Sequence, residues 1–126
     1  MGNLEGVYMM LDLQLIDVQT SEPVKNHGTV GNDNDEEGIV QIETLSPGHY
    51  APRATHTHLL VHQGATVVPN NTLAGGNVSH VGQVFFDQDL IYEVDTLYPY
   101  TLSPNLVKLN SQDMVLADEA ELPTRL

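Results

Sequence analysis

Tyr50, Arg53, His56 and His58 stand within residues 47–58, PGHYAPRATHTH, the stretch richest in side chains that hold metals or steady charge. In an extended strand successive side chains point to opposite faces, so His56 and His58 point the same way and can ligate one ion. Ala54, Leu60 and His62 share that face, while Thr55, Thr57, Leu59 and Val61 share the other. Tyr50 lies just upstream, after a Pro47-Gly48 turn able to fold it back toward the imidazoles. A phenol with two imidazoles is a hard-to-borderline donor set, and a tyrosinate suits ferric iron. Each piece alone has a plainer reading: two histidines on a polar sheet face, Tyr50 as a packed edge residue, Arg53 paired with one of the 17 carboxylates. The combined spacing, with a cation three residues before the first His, is what makes the segment specific.

Strands must position these groups, and the punctuation of the chain is that of an all-β protein. Ten Gly and seven Pro separate short apolar runs, and no long window holds a helical stripe. Residues 8–18 form the first expected strand, with Leu11, Leu13 and Leu15 alternating with Asp12 and Gln14; Ser21-Glu-Pro-Val24 then turns the chain. Residues 26–38 are almost without apolar side chains and read as a solvated loop. Further strands are expected over 39–45, 54–62, 65–68 and 81–86, with a loop over 69–76. Residues 90–94 suit either a strand or a short turn of helix, and 106–109 and 114–116 are weaker strand candidates. Short strands at this spacing imply one antiparallel β-sandwich domain over residues 1–126.

Composition narrows the function classes. Four Lys and Arg stand against 17 Asp and Glu, a formal charge of −13 with the six histidines neutral. That balance argues against nucleic acid and anionic membrane surfaces as partners, because both select a basic footprint. Cys is absent, which excludes a disulfide framework and a thiolate zinc site. No apolar run approaches the roughly 20 residues of a membrane span, and no basic stretch leads into an apolar one as in a secretory signal.

The segment PGHYAPRATHTHLLVH resembles the core of the intradiol ring-cleavage dioxygenases, and among them the fungal extracellular-type branch. The likeness runs from about residue 8 to 119 and takes in LDLQLIDVQTSEPV, GIVQIETLSPGHY and SHVGQVFFDQDLI. It implies a reduced intradiol-type β-sandwich and an oxidoreductase that binds non-haem Fe(III) with two Tyr and two His. Such enzymes cleave catechol-type rings with O2 between the hydroxyl-bearing carbons. By the same resemblance Tyr50 is the second tyrosine ligand, and His56 and His58 are the histidines. Arg53 is then the active-site arginine that steadies negative charge on the ring as oxygen attacks, and Gln83 the glutamine lining the pocket. The implied partners are a small aromatic or phenolic substrate and O2. The branch is mostly secreted, whereas this sequence shows neither signal nor cysteines, so localisation stays open.

The resemblance stops at one place. The family's first tyrosine ligand sits in an insert of several dozen residues between the opening strand and the GIVQIETL-like strand. Here that interval is the acidic stretch 25–38, which holds no Tyr, and Ser21 stands where the branch has a cysteine. Three facial ligands with open positions suit Fe(II) or another divalent ion as well as Fe(III). Tyr8, His49, His27 or a loop carboxylate are the available substitutes, and His62 is an outside candidate on the His56 face. A sandwich without the insert exposes apolar surface, so a homo-oligomer is expected. The alternative is a non-catalytic or non-oxidative sandwich, isomerase- or cyclase-like in the latter case, that binds a ligand or self-assembles. Two lesser patterns carry little weight. Asp33-Asn-Asp35-Glu-Glu37-Gly38 begins like a calcium loop but has Thr44 where a bidentate Glu belongs, and Asn70-Asn-Thr72 and Asn77-Val-Ser79 match glycosylation acceptors.

Overall fold

A computed structural model of the chain describes residues 5–24, 27–29, 32–33, 37–70 and 72–121. The secondary structure is dominated by strands: β1 Tyr8–Gln14, β2 His27–Thr29, β3 Asn32–Asp33, β4 Ile39–Leu45, β5 His56–Gln63, β6 Thr66–Val67, β7 Leu73–Ala74 and β8 Asn77–Phe85. Two helices follow, α1 Gln88–Asp95 and α2 Met114–Glu121, with 3-10 turns at Tyr100–Leu102 and Asn110–Gln112. β1 pairs with β4, β6 with β7, and the largest sheet has the order β3-β2-β5-β8. The pairs β2–β3, β2–β5 and β6–β7 are antiparallel. The architecture is therefore all-β and antiparallel, as the strand spacing implies. Among the described residues no helix is long and apolar enough to cross a membrane.

Backbone contacts divide the chain into two compact units. One draws on residues 10–24, the described parts of 27–43, and 58–83; the other on 5–9, 44–57 and 84–121. In the first, β1 half-buries alternate side chains, Leu11 and Leu13 facing inward while Asp12 and Gln14 face water. Val40 and Val61 are its most buried apolar side chains. The strand ends earlier than residue 18 because Asp17 turns the chain. Its carboxylate accepts from the Gln19 and Thr20 amides at 2.7 and 3.1 Å, and its carbonyl accepts from Ser21 N–H at 2.8 Å. Gly38 then opens β4 at φ +75, where a Cβ would lie 2.8 Å from the Leu15 carbonyl oxygen, so only glycine fits.

The acidic stretch 25–38 differs from the expected loop. It carries β2 and β3, and β2 docks along β5 with His27 opposite Gln63, Gly28 opposite His62 and Thr29 opposite Val61. A sheet edge offers backbone donors and acceptors whatever the side chains, so a polar sequence can pair there without an apolar signal. Residues 25, 26, 30, 31 and 34–36 lie outside the described residues.

In the second unit the ambiguous 90–94 segment is helical. Asp87 caps it by accepting from the Asp89 amide at 2.9 Å, and Ile91 and Val94, one turn apart, are its buried face. Residues 106–109 form no strand; Lys108 makes one bridge to Ala54. Residues 114–116 open α2 because Asp113 caps them, its Oδ1 accepting from the Val115 and Leu116 amides at 3.0 and 3.2 Å. The other oxygen, Oδ2, accepts from Arg53 Nε at 2.8 Å and from the Ala54 amide at 2.7 Å. Arg53 Nη2 completes a two-point pair with Oδ1 at 3.2 Å. Asp113 is 1% exposed. Burial pushes its carboxyl pKa up, but the Arg53 guanidinium and the Ala54 and Leu116 amides outweigh that and hold it well below the usual carboxylate range.

Replacing Asp113 by Ala removes the cap, the acceptor of the Ala54 amide and one half of the two-point ion pair, so a loss of about 3–5 kcal/mol is expected in denaturant titrations. The pH dependence has a fixed sign. A depressed carboxyl stabilises the fold above its ordinary value of 3.8, and that contribution is lost as pH falls below it. Asp113→Asn is expected to flatten the decline of Tm on the acid side of pH 4 relative to the wild type.

Candidate metal centre

The residues that carry donors lie on a short path from β4 to β5. Ser46 is fixed at both ends of its peptide, its amide donating to the Val7 carbonyl at 2.8 Å and its carbonyl accepting from the Tyr100 hydroxyl at 2.7 Å. His49 is buried and engaged on both sides: Nδ1 lies 3.1 Å from Asp95 Oδ1 and Nε2 lies 2.8 Å from the Asn105 carbonyl oxygen. Both ring nitrogens thus lie within hydrogen-bond distance of an oxygen. His49 is engaged on both sides and anchors the segment that carries its neighbour Tyr50.

Tyr50 begins a turn. The Arg53 amide donates to the Tyr50 carbonyl at 2.9 Å, across a cis Ala51-Pro52 bond, which folds the chain back into β5. The turn brings Tyr50 Oη to 3.3 Å from His56 Nε2, with the rings 5.7 Å apart and tilted by 54°. His56 is 6% exposed and packs against Phe85 at a ring separation of 5.5 Å, whereas Tyr50 is 49% exposed. The far nitrogen, His56 Nδ1, lies 2.7 Å from the Ala54 carbonyl oxygen. A carbonyl only accepts, so Nδ1 carries a hydrogen, and in the neutral ring Nε2 then turns its lone pair toward the phenol.

This arrangement fits a metal ion. Ligands at about 2.0–2.1 Å from one ion stand about 2.8–3.0 Å apart at octahedral angles and about 3.3–3.4 Å apart at tetrahedral ones, and the two atoms are separated by 3.3 Å, the tetrahedral value. A backbone carbonyl behind the imidazole is the usual support for a ligating histidine. Among the described residues no three His, Asp or Glu side chains gather into a metal-holding group, so any ion here depends on the phenol.

The other candidates are placed as follows. His58 is exposed on β5, two residues beyond His56 and on the same face by strand alternation. Gln83 is half-buried on β8, and Tyr8 begins β1 with its ring largely exposed. Arg53 is locked to Asp113, and its own pKa is raised chiefly by that hydrogen bond against an opposing effect of burial, with a smaller push from Tyr50. Sequence reasoning missed Asp113, Asp95 and Asn105. Asp113 had a signal, an acidic cap before the apolar start of MVLADEAE; the other two had none.

No protein-family model and no curated protein sequence matches the chain. Solved structures do. An intradiol ring-cleavage dioxygenase from Tetranychus urticae matches with a TM-score of 0.73 at 24% identity, over 90% of this chain and 67% of that one. A second structure, of a dioxygenase, matches with a TM-score of 0.73 at 25% identity, over 90% of this chain and 68% of its own. The fold is that of the intradiol ring-cleavage dioxygenases. Tyr50 and His56, two of the residues expected to hold a metal, approach each other to 3.3 Å, and the expected all-β sandwich class holds.

The imidazole geometry is directly checkable. In metal-free protein the 15N signals of the His56 ring are expected to show a protonated Nδ1 and an unprotonated Nε2. The opposite tautomer would contradict the lone-pair direction assigned here.

Proposed function

We propose that the chain is a non-haem iron protein of intradiol type that acts on a catechol-like or phenolic compound with O2. The observation that carries this reading is the 3.3 Å approach of Tyr50 Oη to the lone-pair nitrogen of His56 within an intradiol-type fold. Tyr50, His56 and His58 hold the ion, His58 joining from the same face of β5. The bound iron supplies the activation of a dihydroxyaromatic substrate toward O2. The chain's own residues do the rest. The Ala54 carbonyl fixes the His56 tautomer, Phe85 covers that ring, and the Tyr50–Arg53 turn sets the phenol. Arg53, held by Asp113, presents a fixed cation beside Tyr50 that steadies negative charge on the bound ring, and Gln83 keeps the pocket role that the resemblance implies for it. The acidic stretch stands in place of the family insert, so the site is simpler than that of a two-tyrosine enzyme and admits Fe(II) or another divalent ion as well as Fe(III).

A second reading, a non-oxidative or purely binding sandwich, is favoured by one observation. A cleft of about 650 Å³ in the unit that contains β1 is lined by Leu15, Ile16, Val24, Leu59, Val61 and His80 among others, and by neither Tyr50 nor His56. That volume suits a drug-sized ligand.

Iron titration separates the two readings. Loading with Fe(III) is expected to give one equivalent bound and an intense visible phenolate band that Tyr50→Phe abolishes. Oxygen-electrode traces with catechol or hydroxyquinol should then show uptake that fails in His56→Ala. Colourless protein with no uptake would leave the binding reading. The oligomer expectation is tested separately. Val18, Val81 and Leu106 are exposed apolar side chains, and sedimentation is expected to give a dimer or larger at micromolar concentration.

A further inference from the structure

A small cavity in the unit that contains the Tyr50–His56 pair is lined by Ser46, Thr55, Phe86, Ile91, Val94 and Asp95 among others, with about 10 Å³ of space for a water centre. Its wall is mostly apolar. Two buried polar atoms on residues that line it, Thr55 Oγ1 and Asp95 Oδ2, have no hydrogen-bond partner among the described residues. Thr55 is 5% exposed. An unpaired buried hydroxyl and an unpaired carboxylate oxygen each carry a desolvation penalty, and native proteins rarely leave such atoms unsatisfied. The volume is close to that of a single water, and a water needs at least two polar partners to stay.

We propose that this cavity binds one structural water, which accepts from the Thr55 hydroxyl and donates to Asp95 Oδ2, and that this water helps position Tyr50 and His56. The chemistry is complementary, because the carboxylate can only accept while the hydroxyl can donate. The consequence follows from the other oxygen of the same carboxylate. Asp95 Oδ1 holds His49 Nδ1 at 3.1 Å, and His49 Nε2 reaches the Asn105 carbonyl at 2.8 Å. Thr55 directly precedes His56, and His49 directly precedes Tyr50. The path Thr55–water–Asp95–His49 is therefore a second tie between the two donor-bearing segments, independent of the Tyr50–Arg53 turn. Its relevance to chemistry rests on the metal reading above; the water itself does not.

Thr55→Val discriminates by sign. In a dry cavity the isosteric valine relieves an unpaired hydroxyl, so Tm stays level or rises. If the water is bound, valine strands it and Tm falls by roughly 3–5 °C, while Thr55→Ser restores most of the loss. A high-resolution crystal structure of the metal-free wild type is expected to show one density peak within hydrogen-bond distance of both atoms. A cavity without density, or an unchanged Tm in Thr55→Val, overturns the water. The positioning role has its own readout, the 15N signals of the His56 ring in metal-free Thr55→Val, which are expected to shift and broaden and to recover in Thr55→Ser. Unchanged signals beside a visible water would overturn the positioning role. Absence of the ferric band in wild type would sink the metal reading and leave every one of these measurements interpretable.

Discussion

One buried carboxylate organises the unit that holds the Tyr50–His56 pair. Asp113 collects the Arg53 guanidinium, the Ala54 amide and the first free amides of α2, so a turn, a strand entry and a helix start share a single acceptor. Among the described residues Ala54, Ile91 and Val94 are its fully buried hydrophobic side chains. Each of the two larger ones contributes about 1.5–3 kcal/mol on burial, whereas stripping a partner from a buried ion pair costs about 3–5 kcal/mol. Polar pairing in such a unit is costly to break. It also specifies direction, because hydrogen bonds constrain angle where apolar contacts do not.

The donor pair inherits its geometry from that anchor. Asp113 fixes the Ala54 amide, the Ala54 carbonyl orients the His56 ring, and the Arg53 amide closes the turn that returns Tyr50 to it. Each link is a backbone or buried contact, so neither donor relies on a long flexible side chain being held by solvent-exposed partners. The field of the chain favours a cation as well, with a formal charge of −13 and few basic residues to oppose it. His49 shows the opposite use of the same residue type. With both nitrogens engaged it is a strut, and its neighbour is the ligand candidate.

Likeness of fold and identity of function are separate matters here. The chain covers about two thirds of the length of the solved dioxygenases it matches, at 24–25% identity. A shared sandwich supplies the strands on which a site is mounted, while reaction chemistry resides in particular donors and their spacing. The phenol–imidazole approach is therefore the weightier observation for function, and the fold explains why the two residues come to lie on adjacent strand and turn.

Much of this was legible in the chain itself. Alternation in LDLQ marked β1, the IVQIETL run matched β4 residue for residue, and the period of two in HTHLLVH marked most of β5. The grouping of Tyr50 with His56 was legible in their separation of six residues and in the Pro47-Gly48 turn just upstream, because local sequence controls local geometry. What the tertiary structure alone decided involves partners far away in sequence. Asp113 meets Arg53 across 60 residues, Asp95 meets His49 across 46, and β2 pairs with β5 through backbone groups that carry no side-chain signature. Charged and polar residues with many possible partners look alike in a linear pattern. Which acceptor each donor finds is settled only when burial removes water as the competitor.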